Sequence, residues 1–223
     1  MKTRTNIHDI YKKLYAANGK RHWWPGNSAF EIMVGAVLTQ NTAWTNVERA
    51  IANLKQAKVL SPEAIVKVQP KRLATWLRPS GYFNIKARRL KAMCRWLIGR
   101  GGVKKINKIP TNELRHALLA VHGIGPETAD DILLYAFHRP VFVVDAYTRR
   151  IFARLGLIKG SENYEALRQL FENALATDVA VFNEFHALIV IHGKNVCRKR
   201  PLCGSCHLAE HCLYSSVFLP ANN

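Results

Sequence analysis

No stretch of this 223-residue sequence approaches the roughly 20 consecutive apolar residues of a membrane span, and the opening MKTRTNIHDIYKK lacks the apolar core of a secretion signal. Membrane insertion and export are therefore not expected, and a soluble protein of the cytoplasm or nucleoid is. Acidic residues are scarce: 15 Asp and Glu stand against 33 Lys and Arg, a net charge of +18. That imbalance points to a polyanionic partner, nucleic acid ahead of an anionic membrane surface. Alternating strand patterns are scarce too, and no internal repeat or low-complexity tract occurs. Disorder is excluded by the 48% hydrophobic content, which supports a packed core.

What is present is helical punctuation. Ser28-Ala29-Phe30-Glu31 has the form of a capping box, with a helix through MVGAVLTQ to follow. Ser61-Pro62, Pro70, Thr111, Ser161 and Thr177 each precede an apolar-periodic segment, and Gly19, Gly101 and Gly193 stand where segments should stop. About ten helices with short loops are predicted, an all-α fold. Val141 to Val144 is the one strand candidate, and it reads equally as a buried loop.

Within VHGIGPETAD, a helix from Leu114 to Val121 and a second one opened by Pro126 must be joined by a tight reversal over His122 to Gly125. Gly123 and Gly125 permit positive φ and let a phosphate approach bare amides at a helix start. His122, Gly123, Gly125 and Thr128 are therefore candidates for holding a nucleic-acid backbone without reading its sequence. The chain then runs through an apolar stretch to Asp145, which would cap the helix starting with Ala-Tyr-Thr-Arg-Arg.

Cysteine is sparse but unevenly placed. Cys94 lies alone in a helical stretch and reads as a core thiol, whereas Cys197, Cys203, Cys206 and Cys212 are separated by five, two and five residues. In a reducing compartment such a cluster binds metal rather than forming disulfides, and its spacing suits either a [4Fe-4S] cluster or tetrahedral zinc. His207 and His211 read as loop residues beside it.

LLAVHGIGPETADDILLYAFHRPVFVVDAYTRR resembles the signature of the endonuclease III superfamily of DNA repair glycosylases, and the likeness extends from about residue 22 to 212. It implies a two-lobed helix-hairpin-helix fold with a C-terminal [4Fe-4S] loop: a central lobe over 22–132 carrying the hairpin, and a second lobe from 1–21 and 133–223. It also implies that Asp145 faces the sugar of an extruded nucleotide across the cleft between the lobes. A carboxylate there stabilises positive charge at the anomeric carbon and orients the attacking nucleophile. Bifunctional members carry a lysine two residues after the second hairpin glycine; this chain has Glu127, which cannot form an imine, so hydrolysis without strand cleavage is expected.

WWPGNSAFEIMVGAVLTQNTAW and LRPSGYFNIKARRL are similar to the 3-methyladenine DNA glycosylase branch. The resemblance implies that Trp23 and Trp44 sandwich the flipped base, that Trp24 supports the pocket wall, and that Gln40 fills the gap left in the duplex. Electron-rich rings suit 3-methyladenine, a cationic base, by about 2 kcal/mol when desolvated. Lys86, Arg88 and Arg89 would contact phosphates or form a solvated face. Arg198, Lys199 and Arg200, in the cysteine loop, would touch phosphates. The first cysteine spacing is one residue shorter than in endonuclease III, and the loop itself sets the chain apart from 3-methyladenine relatives without a cluster. The expected partner is double-stranded DNA with a damaged base, bound by a monomer.

Overall fold

The computed structural model describes residues 6–21, 23 and 26–215. Among them there is no strand, and no single helix is long and apolar enough to cross a membrane. Among the described residues, twelve α-helices are joined by short turns: α1 (Ile7–Asn18), α2 (Ala29–Leu38), α3 (Trp44–Gln56), α4 (Pro62–Lys67), α5 (Pro70–Leu77), α6 (Phe83–Gly99), α7 (Val103–Ile106), α8 (Thr111–Leu119), α9 (Pro126–Asp131), α10 (Ala146–Leu155), α11 (Tyr164–Ala174) and α12 (Val179–Asn195). The chain divides into two compact units, one from Met1–Trp24 with Pro140–Asn223 and the other from Pro25–Arg139.

The contiguous unit is built around α2, whose Met33, Val34, Ala36, Val37 and Leu38 are all solvent-free. Such a helix, apolar on every side, is stable only when surrounded; it packs against α3, α6, α9 and a π-helical turn, Ile132–Ala136, that prolongs α9. Ser28 caps α2 by accepting from the Glu31 amide, but the reciprocal half of the predicted capping box is missing, because the Glu31 carboxylate pairs with Lys55 at 2.6 Å. A complete box stands instead at Asn6 and Asp9, at the start of α1.

Lys86 corrects another expectation. It is 1% exposed, and its Nζ donates to the carbonyls of Leu38 at 2.8 Å and Ser80 at 2.6 Å. The ammonium closes the open end of α2 and the turn after α5, so it is neither a phosphate contact nor a solvated side chain. Burial and the neighbouring Arg89 charge bring its pKa down to about 8. Arg88, by contrast, is exposed.

The second unit is built on phenylalanines. Phe142 and Phe171 stack at 4.6 Å, while Phe152, Phe182 and Phe185 close around them edge-on or tilted. Residues 141–144 form a buried extended run without a strand partner. Its amides find side chains instead: Phe142 N–H donates to Glu172 at 3.0 Å and Val144 N–H to the Tyr164 hydroxyl at 3.4 Å, both on α11.

Several boundary signals are displaced. Asn163 and Asp178 cap α11 and α12, where Ser161 and Thr177 were expected, and Thr111 lies inside α8 after Pro110. Gly193 does not end α12; it lies within it, where a side chain would meet Tyr147 of α10.

Candidate active site

The hairpin of the contiguous unit joins α8 to α9 through residues 120–125, and the two helices are strapped by a bidentate ion pair. Arg115 Nε donates to Asp130 Oδ1 at 2.6 Å and Nη2 to Oδ2 at 3.0 Å, with the aspartate side chain fully enclosed. The two glycines are not equivalent. Gly123 has φ of +87° and lies under the Arg89 side chain, so it needs both its missing Cβ and its left-handed backbone. Gly125 is extended, with φ of −94° and open space where a Cβ would point; nothing within the protein requires a glycine there.

Gln40, just after α2, is folded onto this hairpin. Its Nε2 donates to the Gly123 carbonyl at 3.1 Å and the Thr128 hydroxyl at 2.9 Å, and its Oε1 accepts from Arg89. Thr128 is buried, and its hydroxyl accepts from Gln40. His122, Gly125 and Glu127 are exposed. Trp44, the first residue of α3, is half-buried and its indole N–H donates to Glu48 at 2.9 Å.

In the other unit Trp23 is half-buried, with an indole N–H that is shielded from water and has no hydrogen-bond acceptor. Trp24 lies outside the described residues. Asp145 ends the extended run and caps α10. Its Oδ1 accepts from the Thr148 amide at 2.7 Å and from the Thr148 hydroxyl at 2.8 Å. Its Oδ2 lies 3.7 Å from Nε2 of His186 on α12, in side chains that are 12% and 5% exposed respectively. Burial pushes the Asp145 carboxyl up, yet His186 and the two Thr148 hydrogen bonds outweigh it and hold the group below the usual carboxylate range. At neutral pH the acid is an anion with one oxygen fully occupied and the other facing an imidazole.

All four loop cysteines border one small, partly open cavity, together with Arg154, Leu202 and Tyr214. None of them forms a disulfide. Burial and the neighbouring cysteines push the Cys203 and Cys206 thiols up, a penalty that a bound cation reverses. Among the described residues, however, no three His, Cys, Asp or Glu side chains are gathered closely enough to grip a single ion.

Arg154 of α10 is the hub of this loop. It donates to Cys197 Sγ at 3.3 Å, to the Arg198 carbonyl at 2.6 Å and to the Lys199 carbonyl at 3.0 Å, with its guanidinium 4.6 Å from the Tyr214 ring. The side chains of Arg198, Lys199 and Arg200 remain exposed. His192 of α12 lies 3.6 Å from Cys206, and burial together with the His207 charge lowers its pKa to about 4.

His186 and Arg154 were not singled out by the sequence. The available signals were a histidine flanked by apolar residues in the helix segment FNEFHALIVIH, which also ends on His192, and an arginine in the last turn of the helix that Asp145 caps.

Residues 34–177 match the HhH-GPD superfamily base excision DNA repair protein family. A protein of Methanocaldococcus jannaschii named as a DNA repair glycosylase is 45% identical over 210 residues, covering 93% of this chain and 96% of the relative. The crystal structure of an H. pylori 3-methyladenine DNA glycosylase bound to 1,N6-ethenoadenine is 30% identical, with a TM-score of 0.74 over 85% of this chain and 98% of that one. An endonuclease III in a non-covalent DNA complex shares the fold, at a TM-score of 0.84 and 21% identity over 98% of this chain and 99% of that one. With the hairpin, the aspartate-capped helix and these likenesses together, the chain belongs to the HhH-GPD superfamily of base excision repair proteins and is a DNA glycosylase.

Proposed function

We propose that the protein hydrolyses the N-glycosidic bond of alkylated purines in double-stranded DNA, with 3-methyladenine as the first substrate, and leaves an abasic site uncut. The observation that carries this reading is the Asp145 carboxylate, held ionised with Oδ1 committed to Thr148 and Oδ2 not. An anion fixed in this way stabilises the positive charge that develops on the sugar as the base departs, and orients water onto the anomeric carbon. A cationic base is a good leaving group, so little further acid-base equipment is required. Trp23 and Trp44 supply the aromatic faces that attract such a base. The 30% identity to a 3-methyladenine glycosylase supports the same substrate class.

Glu127 supports hydrolysis alone, since a carboxylate cannot form the imine on which strand cleavage depends. Gly125 supports backbone contact, because its amide is bare and the space beside it is open. Gln40 is the residue that fills the vacated position, which requires it to leave the Gly123 and Thr128 contacts. Arg198, Lys199 and Arg200 add phosphate contacts.

Four sulfur donors spread around one cavity suit a [4Fe-4S] cluster better than zinc, the second choice, which would need them drawn together onto a single ion. Cys197, Cys203, Cys206 and Cys212 would hold it, and the bound group would supply the crosslink that staples the loop to α10 and α12. Absorbance near 400 nm with iron and zinc analysis distinguishes the two metals.

A duplex containing 3-methyladenine should yield alkali-labile abasic sites, and borohydride should trap no covalent adduct. Release of an oxidised pyrimidine with a trapped adduct would instead establish a second reading, an endonuclease III-like glycosylase and lyase, for which the shared fold is the supporting observation.

A further inference from the structure

His186 occupies a place that apolar packing alone would not assign to a histidine. Its helix is lined by Phe182, Phe185, Leu188 and Ile189, all solvent-free, and His186 itself is 4% exposed. An imidazole in such surroundings is costly unless a polar group answers it, and a leucine would fill the same volume without that cost. The group within reach is Asp145 Oδ2, at 3.7 Å from Nε2. Thr148 has already taken the other carboxylate oxygen with two hydrogen bonds. The two anchors come from different helices, Thr148 from α10 and His186 from α12, and they act on different oxygens.

We infer that His186 is a positioning residue for Asp145: from α12 it steadies and aims Oδ2, the oxygen that Thr148 leaves open, and so keeps the acid in the form and direction its chemistry needs. The inference rests on the reading of Asp145 as the reacting acid. The 3.7 Å separation exceeds a full hydrogen bond, so His186 restrains Oδ2 electrostatically without occupying it, as an oxygen that must also face a sugar or a water requires. Thr148 alone would fix the carboxylate as a helix cap but would leave rotation of Oδ2, and the burial of its charge, uncompensated.

Among the described residues, the groups that act on the Asp145 charge are His186 from α12 and Thr148 from its own helix. Without His186, burial raises the pKa of the acid, so the protonated form persists to higher pH and the acid limb of the rate profile moves upward.

The test combines a rate with a titration that needs no substrate. Single-turnover base release from dimethyl-sulfate-treated duplex is measured across pH for the wild type, His186→Ala, His186→Gln and Asp145→Asn, alongside carbon-13 titration of the Asp145 carboxyl and binding to an abasic-analogue duplex. His186→Ala should slow release roughly 10- to 100-fold, raise the carboxyl midpoint and leave DNA binding unchanged. His186→Gln, which retains a donor of similar reach, should recover most of the rate. In the wild type the His186 ring nitrogens should report the Asp145 titration, a readout that stands even if the alanine variant does not fold. A wild-type rate and midpoint in His186→Ala, or His186 resonances indifferent to the carboxyl, overturns the inference. Full activity in Asp145→Asn would instead overturn the reading on which it rests, and the titration would still report on the pair.

Discussion

The two units treat their polar groups in opposite ways. In the contiguous unit the amide of Gln40 is engaged at both ends, by Gly123 and Thr128 through nitrogen and by Arg89 through oxygen, and Arg115 and Asp130 form a bidentate ion pair. In the other unit Asp145 is saturated at one oxygen and only restrained at the second. A hairpin held in shape by such contacts needs little further ordering when a ligand arrives, although Gln40, on the proposed reading, would have to let go of it. A reacting group must keep part of its capacity uncommitted. On the proposed reading, holding falls to one unit and chemistry to the other.

The largest effect should come from Asp145→Asn. Asparagine caps a helix as well as aspartate does, so α10 should survive and DNA binding with it, while base release falls by about a thousandfold or more. Gel-shift and single-turnover assays on one preparation check both halves, and a broad loss of binding would break the assignment of roles. Next in size is Lys86→Met, which deprives the carbonyls of Leu38 and Ser80 of their shared donor. Urea denaturation should show a loss of about 2–4 kcal/mol, with Asp145 and its contacts untouched.

A smaller and sharper contrast is available at the hairpin. Gly123→Ala forces a side chain into left-handed backbone beneath Arg89 and should cost about 1–2 kcal/mol of stability. Gly125→Ala should leave the melting temperature alone and weaken DNA binding, because its Cβ would project into space that only a ligand could fill. Equal effects of the two alanines on stability and affinity would erase the distinction between them. The smallest change should be Ser28→Ala, about 1 kcal/mol of thermal stability from a lost cap, with activity at wild-type level.

These cases also show which features were readable from the chain. The hairpin, the cap at Asp145 and the cysteine set are local: their chemistry is written in residues a few positions apart, and turn and cap rules apply directly. Ser28 was half legible for the same reason, since its own hydrogen bond is local whereas the Glu31 carboxylate was drawn away by Lys55, 24 positions further on. Lys86 looked like one more surface cation in a basic stretch; only the fold brings it under the carbonyl of Leu38, 48 positions away. His186 and Arg154 were invisible on similar grounds, because their partners lie 41 and 43 positions distant in sequence. Apolar runs announce burial, but a polar residue within one does not announce what it will meet there.

Gly193 lies inside α12 at the point where a Cβ would come within 2.9 Å of the Tyr147 Cβ, and its carbonyl receives Arg150 of α10 at 2.8 Å. The gauge between the helix bearing the acid and the helix bearing its imidazole is therefore set by a methyl group that was never added. One alanine there would spread the pair apart without altering either member. The spacing of these two helices thus depends on a residue that has no side chain and takes part in no chemistry.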